Sequence, residues 1–305
     1  MPTVYVVGTI TMDLIARSER FPQPGETFIG TSFAQHPGGK AANQAIASAK
    51  TGARTAVIGK VGRDAFGKTL TQFLKQNGVQ LKYVQQTDEA PTGVAQIVVA
   101  DSGENAIVVV PGANGQLTVE DVTNVPVADG DIVLGQLEVP RVCIEALFAR
   151  ARNAGAITIL NPSPAQHCPR EFLGLADYLI ANENEYEYYI GEKVDFSAAD
   201  AVLDAAPKLR THAEQAIIVT LGARGLVALS GEERIVIPGH SVKAVDTTGA
   251  GDTFAGAFAA RLAAGDTLKP ALAYANAAAA ISVQRPGAGS SIPSADEVNG
   301  LLASK

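Results

Sequence analysis

Residues 244–254 read AVDTTGAGDTF, a segment in which two aspartates bracket a Gly-Ala-Gly turn. The segment follows a strand-like run and leads into Asp252–Ala264, an alanine-rich stretch that we expect to form a helix. Gly249 and Gly251 let backbone N–H groups approach an anion, and the helix N-terminus adds a favourable dipole. A carboxylate there can take a proton from a substrate hydroxyl while the amides hold a phosphoryl charge. The alternative is that Asp252 only caps the helix.

Strand-like and helical segments alternate along most of the 305 residues. Strands are expected at Val4–Gly8, Thr55–Val61, Asp131–Leu137, Ile157–Asn161, Tyr178–Ala181 and Ala216–Thr220, with an antiparallel pair at Leu226–Leu229 and Ile235–Pro238. Helices are expected at Ala41–Gly52, Phe66–Gly78, Val142–Gly155, Ala198–His212, Asp252–Ala264 and Pro270–Val283. This order predicts an α/β fold whose mostly parallel sheet is covered by helices on both faces.

Two segments break the alternation. Thr11–Pro37 holds two proline-bearing turns and β-prone pieces, and Thr92–Pro111 holds two apolar runs around an Asp-Ser-Gly-Glu turn. We expect both segments to form a small antiparallel layer outside the main sheet.

The composition excludes several classes of protein. Hydrophobic residues make up 47% and charged residues 18%, which is typical of a chain that folds around a core. The net charge of −7 gives no general attraction to phosphate backbones, so we expect no nucleic-acid partner. No apolar run reaches ~18 residues, so no membrane span is expected. Two cysteines and a strand-like start without the pattern of a signal peptide favour a cytoplasmic location.

Three further segments place glycines or polar side chains where an element begins or ends. Pro37–Ala45 reads PGGKAANQA, and because Lys40 and Asn43 share one face of a helix they suit a polyhydroxylated ligand. Asn182–Glu185 follows a strand and can hold magnesium, directly or through water. Thr220–Gly225 ends a strand with two glycines that can cradle a nucleotide. The alternatives are, respectively, an ordinary turn into a helix, a solvated helix start and a hairpin turn.

Residues 62–69, GRDAFGKT, match the G-x-x-x-x-G-K-T pattern of a phosphate-binding loop. The interior of the match carries the bulky Asp64 and Phe66, and Asp64 would repel a phosphate. A nucleotide hydrolase that uses Lys68 and Thr69 is therefore the weaker hypothesis. A capped turn into the next helix is favoured.

Taken together, these motifs resemble the ribokinase family of sugar kinases, in order and in spacing, over essentially the whole chain. The resemblance rests on residues 38–43, 161–165, 220–225 and 246–254 and on the pair Asn182 and Glu185. The family's Val-Gly-x-Asp-x-x-Gly element also accounts for residues 62–67. The resemblance implies an ATP-dependent kinase that phosphorylates a primary hydroxyl, with D-ribose converted to D-ribose 5-phosphate as the expected reaction.

The resemblance also implies an architecture, cofactors and partners. A three-layer α/β/α core would comprise residues 1–10, 38–91 and 112–305, and a small antiparallel β lid over the sugar would comprise residues 11–37 and 92–111. Mg²⁺ bound with ATP and an activating monovalent cation, K⁺, are the implied cofactors. The implied partners are the sugar, ATP and a second copy of the chain in a homodimer formed through the lid.

The family's functional residues carry over to matching positions. Asp252 is implied to be the catalytic base, and the anion hole is implied to be Gly249, Ala250 and Gly251. The sugar contacts would be Thr11, Asp13, Gly39, Lys40, Asn43, Glu138 and Asp252. The ATP site would contain Asn182, Thr220, Gly222, Gly225, Gly251 and Asn276. The monovalent cation would lie at Asp246, Thr248, Ser282, Arg285, Gly287 and Ser291, with Glu185 acting on magnesium indirectly.

Two departures from the family pattern concern the sugar. Thr11 stands where the family usually has asparagine, and Ala41 stands where ribokinases usually have glycine. A hydroxyl in place of an amide loses a donor or an acceptor and has a shorter reach. A kinase for deoxyribose, a ketohexose or a nucleoside is therefore the alternative within the family. A sugar sensor without chemistry is another alternative, and the intact Asp252 and Gly-Ala-Gly turn argue against it.

Overall fold

The computed structural model describes residues 2–304. Its strands are β1 (Thr3–Val7), β2 (Thr11–Ser18), β3 (Ser32–Gly38), β4 (Arg54–Gly62), β5 (Gln80–Thr87), β6 (Gly93–Ala100), β7 (Asn105–Val110), β8 (Ile132–Gly135), β9 (Ile157–Leu160), β10 (Tyr178–Asn182), β11 (Ala216–Thr220), β12 (Gly225–Ser230) and β13 (Glu233–Pro238). Its α-helices are α1 (Lys40–Lys50), α2 (Ala65–Gln76), α3 (Val119–Thr123), α4 (Arg141–Asn153), α5 (Arg170–Leu173), α6 (Glu183–Ile190), α7 (Ala199–Leu209), α8 (Ala250–Ala263), α9 (Leu268–Ser282) and α10 (Ala295–Ala303).

The main sheet has nine strands in the order β13-β12-β11-β10-β9-β8-β1-β4-β5. The strands from β5 to β11 along this order pair in parallel, and β12 and β13 add an antiparallel edge. Successive side chains of β1 point to opposite faces of the sheet, where two hydrophobic cores lie. Val4 and Val6 pack with α1, α8 and α9, whereas Tyr5 and Val7 pack with α4 and α7. The predicted α/β fold with helices on both faces is confirmed.

The two segments that break the alternation form a separate four-stranded sheet, in the order β3-β2-β6-β7. The outer pairs are antiparallel, as expected, and the hydrogen bonding adds that the central pair β2–β6 is parallel. Every residue of β7 is exposed, including the apolar run Ile107–Val110. This small sheet therefore has an apolar edge strand that no other part of residues 2–304 covers.

Most predicted helices appear within two or three residues of their expected ends. Strand β5 was missed because it is a half-exposed edge strand whose polar residues hide the β pattern. The short helices α3, α5 and α10 were also missed, since they hold fewer than three turns of periodic sequence, and α6 was expected only as the alternative to a ligand site at Asn182–Glu185. Within residues 2–304, no helix has the length and apolar character that crossing a membrane requires.

Candidate active site

Asp252 lies buried in the first turn of α8, where two amide side chains of α1 reach it. Asn43 Nδ2 donates to Asp252 Oδ2 at 3.1 Å, and Gln44 Nε2 donates to Oδ1 at 2.9 Å. Burial raises the pKa of Asp252, although the charge of Lys40 and the two amide hydrogen bonds act in the opposite direction. The carboxylate is therefore a stronger base than a free aspartate.

The start of α8 is a glycine turn at the position where an anion-binding turn was predicted. Gly249 is its N-cap and has φ 74°, a left-handed backbone conformation that glycine adopts without strain. The N–H of Ala250 donates to the carbonyl of Thr247 at 3.2 Å, so that amide is engaged in the turn. The amides left for an anion are those that follow it, beginning with Gly251, because the first N–H groups of a helix lack intrahelical partners.

Two adjoining cavities open at this turn. The larger, of about 470 Å³, is of the size that holds small ligands. It is lined by every position expected along the ATP site: Asn182, Thr220, Gly222, Gly225, Gly251 and Asn276. The smaller, of about 190 Å³, leads from this space to Asp252, and Lys40 and Glu185 also line it.

Part of the larger cavity was not expected from the sequence. Its apolar wall comes from Val242, from Phe254 of α8 and from Ala279, Ala280 and Val283 at the end of α9. Apart from Phe254, which ends the segment 244–254, these residues belong to no local motif, because they meet only when α9 packs beside α8. The run Ala277–Ala280 in α9 is the local signal at this place, and a run of alanines in a helix by itself indicates only close packing.

Lys40, the first residue of α1, lies among carboxylates from three other elements. Its Nζ is 3.9 Å from Glu138 Oε1, and Glu138 Oε2 accepts a hydrogen bond of 2.7 Å from the hydroxyl of Thr9. Burial alone would lower the pKa of Lys40, but the charges of Asp252, Glu138 and Glu185 outweigh it and raise the pKa. The ammonium group is therefore held charged beside Asp252.

Asp13, on β2 of the small sheet, adds a further carboxylate near Glu138 and Asp252. Burial, together with the charges of Glu138 and Asp252, raises the pKa of Asp13 to about 6. Gly38 on the neighbouring strand leaves room for this carboxylate, since a Cβ there would lie 2.5 Å from Asp13 Oδ2. Gly39, with φ 95°, lets the chain turn closely against the carbonyl of Thr9 and into α1.

Sequence reasoning missed Asn114, a buried side chain that holds Thr11. Asn114 Oδ1 accepts from the N–H of Ile10, and its Nδ2 donates to the carbonyl of Ile10, both at 3.0 Å. The same Nδ2 lies 3.4 Å from the hydroxyl of Thr11. The Thr11 hydroxyl is therefore engaged with the protein. Nothing around Asn114 in the sequence signals this role, because its partners are more than 100 residues away.

Asn182 and Glu185 form a capping box at the start of α6. The side chain of Asn182 accepts from the N–H of Glu185, and Glu185 Oε2 accepts from the N–H of Asn182 at 3.0 Å. The expected alternative, a helix start, is therefore present, but Glu185 is buried rather than solvated. Both residues also line the smaller cavity. One carboxylate oxygen of Glu185 thus supports the helix and the other is left for this space.

Asp246 joins the two loops in which the cation positions were expected. Its Oδ1 accepts from the N–H of Thr248 and its Oδ2 from the N–H of Gly287, both at 2.9 Å. Burial opposes ionisation, but these hydrogen bonds and the charge of Arg17 keep the pKa of Asp246 lowered. The hydroxyls of Ser282 and Ser291 donate to nearby carbonyls, and the guanidinium of Arg285 pairs with Glu297. Because its guanidinium is positively charged, Arg285 could offer a cation only its backbone carbonyl oxygen.

The match to a phosphate-binding loop is a capped turn, as favoured above. Asp64 is the N-cap of α2, and its carboxylate accepts from the N–H of Gly67 and from both the N–H and the hydroxyl of Thr92, at 2.7–2.8 Å. Lys68 and Thr69 are exposed. The carboxylate occupies the turn in which a phosphate would lie.

Known proteins match this chain along nearly its whole length. Residues 1–295 match the pfkB family of carbohydrate kinases. The chain is 38% identical to the ribokinase of Bacillus subtilis over 305 residues, covering 99% of this chain and 100% of that protein. It is 40% identical to the mouse ribokinase over 298 residues, covering 95% and 91% of the two chains.

Solved structures give the same result. The structure of Arabidopsis thaliana ribokinase complexed with ribose and ATP superposes with a TM-score of 0.89 at 33% identity, covering 99% of this chain and 98% of that one. A family match of this extent and relatives of this identity agree with one another. The chain therefore belongs to the pfkB family of carbohydrate kinases.

Proposed function

We propose that this carbohydrate kinase transfers the γ-phosphoryl group of ATP to the primary hydroxyl of D-ribose, giving D-ribose 5-phosphate and ADP. The observation that carries the proposal is the position of Asp252. On one side of Asp252 are the charged side chains Asp13, Lys40 and Glu138. On its other side is the smaller cavity, which opens into the nucleotide-sized space. The B. subtilis and mouse relatives are ribokinases, and the similar Arabidopsis structure holds ribose and ATP.

The reaction needs a base, an electrophile held in line and a site for negative charge. Asp252 takes the proton of the primary hydroxyl while the sugar oxygen bonds to the γ-phosphorus. The bond from that phosphorus to the β–γ bridging oxygen breaks, and ADP leaves with the electron pair. The amides that begin at Gly251 face the charge that develops on the transferring group. Lys40, held charged, adds a cation on the same side.

The nucleotide would lie in the larger cavity. Its apolar wall suits a flat base, while Asn182, Thr220 and Asn276 offer polar groups for the rest of the nucleotide. The smaller cavity then receives the phosphate chain and directs it towards Asp252. This division assigns ATP to the core and the sugar to the boundary between the core and the small sheet.

The residues present fit both implied ions. The free oxygen of Glu185, together with Asn182, fits a water-coordinated Mg²⁺, which would neutralise phosphate charge when bound. Asp246 and the oxygens of the loops around Thr248, Ser282 and Ser291 supply one negative charge among neutral donors, a set that suits a monovalent cation such as K⁺. Within residues 2–304, no group of three or more His, Cys, Asp or Glu side chains is placed to hold a metal ion.

The small sheet is proposed to act as a lid over the sugar and as the surface of a homodimer. Asp13 reaches the sugar side of the site from this sheet. The exposed apolar edge strand β7, with Phe33 of β3 at 62% exposure, offers a surface that a second copy would cover. The cytoplasmic location stays a prediction, supported by two cysteines that are both free thiols.

The test is ADP release with Mg-ATP on D-ribose, 2-deoxyribose, fructose and adenosine, each with K⁺ or Na⁺. The highest kcat/KM on ribose, with stimulation by K⁺, is the expected result. A higher kcat/KM on another substrate would contradict ribose as the acceptor and leave the kinase assignment intact. Sugar binding without any ADP release would support the sensor alternative.

A further inference from the structure

The hydrogen-bond donors on the two oxygens of Asp252 are held in different ways. Gln44, fully buried on α1, places its Nε2 at 2.9 Å from Oδ1 of Asp252 and at 3.4 Å from Oδ1 of Asn161. At its other end, Gln44 Oε1 accepts a hydrogen bond from Nε2 of Gln136, which is also fully buried. Gln44 therefore has a protein partner at both ends of its amide.

The direction of this chain of amides is fixed by chemistry. A carboxylate only accepts hydrogen bonds, so the NH₂ end of Gln44 must face Asp252. Turning Gln44 over would place its carbonyl oxygen against the carboxylate and its NH₂ against the NH₂ of Gln136. The backbone of Gly8 leaves room for Gln136, since a Cβ there would lie 2.1 Å from Gln136 Oε1. Asp252 therefore fixes the orientation of Gln44, and Gln136, whose own Oε1 has no partner among residues 2–304, donates to the oxygen that Gln44 turns away from Asp252.

Asn43, the donor to Oδ2 of Asp252, is not locked in this way. Its own Oδ1 is buried and has no hydrogen-bond partner among residues 2–304. If the amide of Asn43 turns over, that oxygen can accept a hydrogen bond from a proton on Oδ2. The NH₂ of Gln44, in contrast, can only donate, so it cannot accept a hydrogen bond from a proton on Oδ1.

We infer that Gln44, held by Gln136, is a positioning residue that fixes Oδ1 of Asp252 as a permanent acceptor and makes Oδ2 the atom that takes the substrate proton. This inference rests on the proposed function, because the proton is the one released by the sugar hydroxyl. In this step the O–H bond of the sugar breaks and an O–H bond forms on Oδ2 of Asp252. Asn43 then turns its side-chain carbonyl towards the new O–H group. The same proton returns to solvent after product release.

The test replaces Gln44 with methionine, which keeps its length and removes its donor. We expect kcat for ADP release to fall by about 10- to 100-fold, with the KM of the sugar changed by less than about threefold. The acid limb of kcat against pH should move to higher pH, because an N–H bonded to a carboxylate favours its charged form. The charges that also face Asp252 are those of Lys40, Glu138 and Asp13, and the substitution leaves all three in place.

The matched control is Ser48→Ala. Ser48 lies one turn further along α1, is fully buried and bonds to Thr55 at 2.8 Å, so it tests the loss of a buried polar contact away from Asp252. Gln136→Met is the second variant, because it releases Gln44 without removing the donor to Asp252. It should shift the acid limb in the same direction by a smaller amount, and the double variant should resemble Gln44→Met alone.

An acid limb that stays in place in both variants, or that Ser48→Ala moves equally, would overturn the inference. The carboxyl stretch of Asp252, identified in infrared difference spectra against Asp252→Asn, gives its titration without substrate. A titration that moves to higher pH in Gln44→Met supports the positioning role even where ribose is not the acceptor. If the titration of Asp252 moves in this way but the enzyme does not turn over ribose, only the proposed substrate is contradicted.

Discussion

Replacing Asp252 with asparagine removes the proposed base and leaves the shape of the site unchanged. The carboxylate accepts from Asn43 at 3.1 Å and from Gln44 at 2.9 Å. The introduced amide can keep its oxygen towards Gln44 and place its NH₂ towards Asn43. Because Asn43 Oδ1 has no partner within residues 2–304, its amide can turn over and accept that NH₂. Both hydrogen bonds survive, and the buried charge is lost.

The size of the effect follows from this geometry. General-base catalysis contributes about 100- to 10,000-fold, so kcat should fall by at least about 100-fold, or roughly 2.7 kcal/mol in the barrier. The sugar exchanges a hydrogen bond to a charged group for one to a neutral amide, a difference of about 0.5–1.4 kcal/mol, so its Kd should weaken by about two- to tenfold. The melting temperature should change by less than about 3 °C, since no hydrogen bond is left unmade.

Three measurements separate these effects: ADP release, calorimetric binding of the sugar and thermal unfolding. Asp64→Asn is the control, because Asp64, although less buried than Asp252, is also a hydrogen-bonded carboxylate at the start of a helix and lies outside the site. It should lose stability and keep its kcat. A kcat of Asp252→Asn within tenfold of the unsubstituted enzyme, with the fold intact, would refute Asp252 as the base.

Three further predictions concern the sugar side and the excluded loop. The KM of the sugar should rise as pH falls through about 6, where Asp13 gains a proton and loses an acceptor, and Asp13→Asn should remove that dependence; a KM that is flat between pH 5 and 7 would contradict it. Thr11→Asn should raise kcat/KM for ribose relative to 2-deoxyribose by about tenfold, since its amide reaches past Asn114; an unchanged ratio would place specificity elsewhere. Lys68→Ala should keep kcat within about twofold in the ADP-release assay, because Lys68 is exposed, and a large loss would revive the phosphate-loop hypothesis.

The parts of the site that the sequence predicted are those encoded in contiguous residues. The turn before α8 needs its glycines and its aspartate within a few positions of one another, so residues 244–254 reveal it directly. The ATP-site positions came from the family resemblance, and all of them line one cavity. Five of the six lie where a strand or helix begins or ends, which is a position that the order of elements defines, whereas Asn276 lies in the middle of α9.

The parts that were missed depend on contacts between distant segments. The hydrogen bond from Gln44 to Asp252 joins residues 208 positions apart, and the bonds of Asn114 to Ile10 span 104 positions. Neither side chain carries a local pattern that differs from an ordinary buried amide. The GRDAFGKT match was ambiguous for the same reason. The carboxylate of Asp64 fills the turn, and its partner Thr92 lies 28 positions away in the sequence.

The packing of α1 against α8 explains why small residues are frequent around this site. A Cβ at Gly256 of α8 would lie 2.2 Å from the carbonyl oxygen of Gln44 and 2.7 Å from Cβ of Ala47, so only glycine lets the two helices approach this closely. That approach is what brings two short amide side chains of α1 within hydrogen-bonding distance of Asp252. A wider helix pair would leave the carboxylate buried without donors, and such a group would be protonated rather than basic. Gly256 and Ala47 therefore set the helix spacing at which the proposed base keeps its two hydrogen-bond donors.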